Sequence, residues 1–247
     1  MISIFQMIIY FSIGIFSGFM SGMFGIGGGS VRTPLLYVAG LPLLDSYGIN
    51  LLVIPFSSLI GAVTHRKNID FSIAKYMIIG GGLGTLSGAF LVGALPTLTL
   101  AIIFVVVSIV TILGVHLERI FPKIAKKFKP NMVLIVIGAF FLNFLTVLRG
   151  GSGGSLFPPF LKALGFDIRK AIATSLFSTI FTASVGIVVF WSRGNVDFFP
   201  ALAVIVGSVA GSRIGSLKSL KTEPLWLEIG LSILIVFFAM IVLIKSI

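Results

Sequence analysis

The chain has 247 residues, of which 57% are hydrophobic and 10% charged, with a formal net charge of +11 and a mean hydropathy of +1.17. Such a composition cannot cover a soluble domain with polar surface, so the chain belongs in lipid as one bundle of spans, without room for a separate globular domain. The absence of cysteine excludes disulfides, thiolate metal sites and thiol catalysis. The basic residues sit in short loops between apolar runs, where they speak for topology and against nucleic acid.

In chain order, long apolar runs fall at 2–24, 48–64, 71–94, 97–117, 131–149, 170–191, 198–216 and 225–245, each near the ~20 residues a span needs. The first has no basic leader and exceeds a signal-peptide core in length, so it reads as a retained span. Two shorter apolar pieces, 31–44 and 155–166, follow glycine clusters. At a rise of ~1.5 Å per residue each covers roughly 20 Å of a ~30 Å hydrocarbon core, which by length alone favours re-entry.

Charge favours crossing. If both pieces cross, one face collects Arg66, Lys67, Lys75, Arg119, Lys123, Lys126, Lys127, Lys129, Lys162, Arg169, Lys170, Arg213, Lys218 and Lys221. The other keeps Arg149, Arg193 and Lys245, with Arg32 inside the membrane. If they turn back, the basic residues divide almost evenly and carry no topology signal. The positive-inside rule thus predicts ten segments, five per half, both termini outside, and 118–130 as a basic cytoplasmic linker. Five is odd, so the second half enters from the opposite face. The expected fold is an all-α polytopic membrane bundle of two inverted repeats, 1–117 and 131–247, each with four long spans and one short segment.

The halves correspond at an offset of 125. Gly25-Ile26-Gly27-Gly28-Gly29-Ser30-Val31-Arg32-Thr33-Pro34 aligns with Gly150-Gly151-Ser152-Gly153-Gly154-Ser155-Leu156-Phe157-Pro158-Pro159, and Gly40, Leu51, Phe56 and Gly61 recur as Gly165, Leu176, Phe181 and Gly186. Glycine costs ~1 kcal/mol against alanine in a helix interior, so each cluster unwinds the backbone within the membrane. Irregular backbone at that depth must be buried or line a cavity, and its duplication points to a transporter's binding site near the midplane. Ser30 and Ser155 are expected as N-caps of new helices, with Pro34 and Pro158-Pro159 near their first turns. Such helix starts favour an anion, and glycine lets a ligand approach the backbone.

Arg32 and Arg149, one beside each cluster, either add positive potential to that site or snorkel to an interface. Asn50, Thr174 and Ser175 fall early in the spans after the short pieces. They either donate to an anion without a buried charge or bond between helices. Gly14, Gly18 and Gly22, Gly80, Gly84 and Gly88, and Gly207, Gly211 and Gly215 form four-residue stripes that let helix backbones approach closely, and these read as packing.

The clusters and their prolines, with Ala171-Ile172-Ala173-Thr174-Ser175-Leu176, resemble the TauE/SafE family of sulfite and organosulfonate exporters over roughly 14–245. The resemblance implies a multi-spanning carrier in the inner or plasma membrane for small sulfur-containing anions such as sulfite or sulfoacetate. By motif position it implicates Gly25, Gly27, Gly28, Gly29 and Pro34, and Gly150, Gly153, Gly154, Pro159, Thr174 and Ser175. The chain departs from the pattern at Ser152 and at Ser46-Tyr47-Gly48-Ile49-Asn50-Leu51. The candidate substrate residues are therefore Gly27, Gly28, Gly29, Ser30, Arg32, Pro34, Asn50, Arg149, Ser152, Gly153, Gly154, Ser155, Pro159, Thr174 and Ser175. An anion channel with a continuous pore through the same breaks, or a sensor without transport, are the competing readings.

Enzymatic readings fail on inventory. Gly150-Gly151-Ser152-Gly153 contains a serine, but the two histidines are His65, among basic loop residues, and His116, at a span end, so no base is expected to reach it. No ligand spacing suggests a metal and no phosphate-binding loop a nucleotide, so no cofactor is expected. The carboxylates all fall at loops or span ends, leaving none at membrane depth as a proton or sodium relay.

Overall fold

A computed structural model describes residues 3–115, 131–223 and scattered positions between 225 and 244. The expected linker 118–130 and about half of the last apolar run lie outside the described residues, as does His116. The described residues form helices α1 (Ile4–Phe24), α2 (Gly29–Val38), α3 (Leu43–Thr64), α4 (Phe71–Val92), α5 (Thr97–Val115), α6 (Met132–Val147), α7 (Phe157–Ala163), α8 (Ile168–Ser192) and α9 (Phe198–Ser219), with a 3-10 turn at Arg66–Asn68. No strand occurs among them. Five, α1, α3, α4, α8 and α9, have the length and apolar composition to cross a membrane.

Polar side chains start these helices. Ser3 and Gln6 form a capping box on α1, and Asp70, Asn131, Asp167 and Asp197 cap α4, α6, α8 and α9. Each cap satisfies backbone N–H groups that the first helical turn leaves free. Three carboxylates are thus held at helix ends by capping.

The bundle carries many large apolar side chains on its outside and many hydroxyls within. Ile4, Phe5, Val188 and Phe199 are exposed, whereas Ser17, Ser57, Ser208, Ser212 and Thr182 are fully buried. The glycine stripes draw the helices together. Gly207, Gly211 and Gly215 rest on the carbonyls of Phe11, Ile15 and Phe19, and Gly80, Gly84 and Gly88 on those of Val136, Phe140 and Phe144. The two carbonyl sets are themselves related by the offset of 125. A side chain at any of the six glycines would push into main chain, which is why small residues recur there.

Contact registers fix helix direction. Gly14, Gly18 and Gly22 meet rising positions of α9, from Val204 to Ser216, so α1 and α9 are parallel. Ser212 bonds the Ser57 carbonyl and Gly61 approaches Ser216, so α3 also runs parallel to α9. With α1 and α3 pointing the same way, residues 25–42 carry the chain back across the bundle. The same holds for 148–167, because α4 is parallel to α6 through Gly80–Val136 and Gly84–Phe140 and to α8 through Gly82–Val185 and Thr85–Gly186. Length alone favoured re-entry; the unwound glycines add the extra reach.

Candidate functional site

α1 ends at Phe24 because Gly25 takes a left-handed cap with φ +71°. The aligned Gly150, φ +75°, ends the turn after α6, and the aligned Gly28 and Gly153 are left-handed as well. A residue bearing a Cβ is disfavoured there by ~1–2 kcal/mol. The two breaks lie on one another: a Cβ on Gly154 would fall 2.7 Å from the Ile26 carbonyl carbon, and one on Gly29 3.2 Å from Gly151 Cα. Every residue from 25 to 34 and from 150 to 159 is buried.

Both predicted arginines are inside this junction. Arg32 is fully buried; its Nε donates to Ser17 Oγ at 3.1 Å, Nη1 to Asn50 Oδ1 at 2.6 Å and Nη2 to Ser208 Oγ at 3.1 Å. Arg149 is 1% exposed; Nη1 donates to Ser108 Oγ at 3.2 Å and Nη2 to Ser30 Oγ at 3.0 Å and to Ser155 Oγ. One guanidinium nitrogen therefore holds two aligned serines, one from each glycine break. The acceptors of Arg32 are all neutral, so they stabilise the guanidinium by hydrogen bonding and leave its charge uncompensated. That is a costly state in a dry interior and one an oxyanion relieves.

The breaks are also tied crosswise. Asn50 Nδ2 donates to the Gly150 carbonyl, and Ser175 Oγ donates to the Gly25 carbonyl at 2.9 Å and the Gly154 carbonyl at 3.3 Å. Asn50 aligns with Ser175 and Gly25 with Gly150, so aligned donors in the two halves reach aligned carbonyls of the opposite half. Ser152, which stands where the first cluster has Gly27, bonds Thr182 Oγ1 at 2.7 Å. Gly27 is left-handed at φ +66° while no described non-glycine residue has positive φ, so the backbone at Ser152 has no need of glycine. Gly153 donates its N–H to Thr146 Oγ1 at 2.6 Å.

Several expectations need correction. Ser30 and Ser155 do not cap helices: α2 starts from Gly28 and α7 from Leu156, neither with a side-chain cap, because both hydroxyls accept from Arg149. Pro34 lies past the first turn inside α2, where its missing N–H deprives the Ser30 carbonyl of a helical donor. Pro158 and Pro159 do sit in the first turn of α7. Neither arginine snorkels, since buried hydroxyls and an amide supply their acceptors.

Thr174 is not brought to the junction. Its Oγ1 accepts the Asp70 N–H at 3.0 Å, at the start of α4. His65 is not a solvated loop residue but the C-cap of α3, 1% exposed, with both ring nitrogens unpartnered. Burial, with Arg169 nearby, pushes its pKa down to about 4. Two shallow cavities of about 220 and 230 Å³ lie elsewhere, beside Tyr76 and Met132 at the starts of α4 and α6.

Sequence reasoning missed Ser17, Ser108 and Ser208, the serine partners of the arginines. A signal for Ser208 exists: the third stripe is a repeated Gly-Ser pair, Gly207-Ser208, Gly211-Ser212 and Gly215-Ser216, in which only the glycines were weighed.

Comparison with known proteins bears on what this junction serves. The family model described as "Sulfite exporter TauE/SafE" matches residues 10–243. The chain is 26% identical to "Probable membrane transporter protein YjnA" of Bacillus subtilis (strain 168), over 85% of this chain and 89% of that protein. It is 27% identical to YunE, a probable membrane transporter protein of the same organism, over 85% and 88%. A probable membrane transporter protein of Haemophilus influenzae is 25% identical over 94% and 96%. No solved structure matches the chain.

Proposed function

We propose that this chain, which belongs to the TauE/SafE sulfite exporter family and is a multi-pass membrane transporter, carries sulfite, sulfoacetate or related organosulfonates out across the cell membrane. In this reading, 1–117 and 131–247 are inverted repeats joined by 118–130 as a cytoplasmic linker, both termini are outside, and the substrate binds where the glycine breaks meet. The observation that carries it is Arg32, a permanent cation buried among neutral acceptors. A planar guanidinium with five donors suits the several oxygens of a sulfite or sulfonate group. Gly27, Gly28, Gly29, Ser30, Gly153, Gly154 and Ser155 form the surrounding shell, with Pro34 and Pro159 setting the helices beyond, Asn50, Ser175 and Ser152 tying the breaks together, and Arg149 coupling the two serines. Thr174 is left outside it.

The inverted-repeat reading is supported by the reciprocal packing of α1 on α9 and α6 on α4 and by the crosswise bonds of Asn50 and Ser175. Main-chain contact between the breaks supports a carrier with an occluded state over a channel, since a continuous pore would separate them. An inside-negative potential drives each anionic charge outward by ~2.3 kcal/mol per 100 mV, which suffices for electrogenic export without a membrane-embedded carboxylate.

Counterflow of radiolabelled sulfite into proteoliposomes loaded with unlabelled sulfite, sulfoacetate, sulfate or chloride tests the reading. Uptake accelerated by an internal sulfur oxyanion is expected. Conductance without acceleration would replace the carrier by the channel.

A further inference from the structure

The Gly-Ser repeat of α9 sets a buried hydroxyl beside each packing glycine. Ser208, Ser212, Ser216 and Ser219 lie at steps of four, four and three residues, hence on one helix face, and all four are fully buried. The row starts at Arg32, whose Nη2 donates to Ser208 Oγ. It runs along α1 and α3: Ser212 Oγ bonds the Ser57 carbonyl at 2.6 Å and Ser216 Oγ the Gly22 carbonyl at 3.4 Å. The same register, Ser57 with Ser212 and Gly61 with Ser216, brings its end level with the close of α3, which the turn carrying Arg66 and Lys67 follows.

Polar groups on all three helices of this seam are left unsatisfied. Ser219 Oγ, Ser21 Oγ and both nitrogens of His65 are buried and have no hydrogen-bond partner. Leaving a buried polar group unpaired costs about 1–3 kcal/mol. Three such residues, Ser219 in the row itself, Ser21 on α1 and His65 at the close of α3, are a poor way to build a permanently closed seam. They fit a seam whose polar groups meet a solvated ligand when it opens.

The matching seam of the other half lacks the row. Aligning the stripes, Gly80 with Gly207, Gly84 with Gly211 and Gly88 with Gly215, sets Ser208, Ser212, Ser216 and Ser219 against Gly81, Thr85, Ala89 and Val92. Packing alone required only the glycines, which both seams have.

We propose that the seam of α9 against α1 and α3, from Ser208 to Ser219, is the route by which the transported oxyanion passes between Arg32 and the basic membrane face. The inference rests on the carrier reading and adds to it a path and a side. Serine hydroxyls replace part of the anion's hydration shell along the way, and the end of the path opens among basic side chains that concentrate anions.

The cysteine-free sequence allows a direct test. Ser212→Cys and Ser216→Cys, with Thr85→Cys and Ala89→Cys as counterparts, are reacted from the Arg66/Lys67 face with impermeant anionic (sulfonatoethyl) and neutral thiosulfonates during sulfite counterflow. Labelling of Cys at 212 and 216 and not at 85 and 89, with loss of counterflow on labelling, is expected. After correction for free-thiol reactivity, the anionic reagent is expected to be favoured by about tenfold through the positive potential of the route. Active counterflow with 212 and 216 inert, or with 85 and 89 equally reactive, would overturn the route and leave the carrier standing. Counterflow absent from the unsubstituted protein would remove the carrier reading, and the route with it.

Discussion

Gly27 and Gly28 are neighbours with similar left-handed backbones, φ +66° and +80°, yet their replacement by alanine is expected to have different consequences. Both variants meet the left-handed penalty, ~1–2 kcal/mol each. Beyond that they part. A Cβ at position 27 finds nothing nearer than 3.8 Å, whereas at position 28 it falls 2.8 Å from Arg32 Nη2 and 3.0 Å from Cζ. The guanidinium, held by Ser17, Asn50 and Ser208, must shift and lose at least one hydrogen bond to a charged group, about 1.5–3 kcal/mol. If Arg32 contacts the anion, that shift also spoils its alignment, and an affinity loss of roughly 10- to 100-fold follows at 1.4 kcal/mol per decade. Thermal unfolding of the purified variants and the sulfite concentration dependence of counterflow separate the two effects. Gly27→Ala is expected to lower the melting temperature and leave affinity within a few fold; Gly28→Ala should lower both. Equal affinity in the two variants would refute a substrate role for Arg32.

Four further outcomes are expected. Arg149→Lys removes the planar fork whose Nη2 holds Ser30 and Ser155 while Nη1 reaches Ser108, so counterflow should fall about tenfold or more, read against Arg149→Gln in the same assay. Ser175→Ala breaks the bond to the Gly25 carbonyl and should destabilise by about 1 kcal/mol; Asn50→Ala breaks the corresponding bond to the Gly150 carbonyl and also removes an acceptor of Arg32, so it should cost more, about 2.5–4 kcal/mol, in the same unfolding measurement. Gly84→Val presses a side chain into the Phe140 main chain and should cut folded yield, with surviving protein keeping wild-type sulfite affinity. His65 has its pKa lowered from 6.5 to about 4, so the unfolded chain binds more protons in that window: stability is full above pH 6.5 and falls as the pH drops toward 4. The loss should be of order 1–2 kcal/mol between pH 7 and 5, and His65→Gln should flatten it.

Much of this protein was legible before folding because its signals are local. Apolar runs mark spans, paired glycine clusters mark breaks, and Asp70, Asp167 and Asp197 stand where helices begin, each a property of a short stretch under one solvent and one backbone geometry. The offset of 125 announced that Gly25 and Gly150, or Asn50 and Ser175, play corresponding parts. It did not say that each donor of the latter pair reaches the acceptor in the other half. Tertiary structure alone decided that Ser30 and Ser155 abandon capping for Arg149, that Thr174 turns to Asp70, and that Arg32 finds Ser17 and Ser208. A side chain's partner depends on which helices meet and in what register. In lipid that choice rests on close packing of small residues and on satisfying every buried donor, conditions imposed by segments more than 170 residues apart in the case of Arg32 and Ser208.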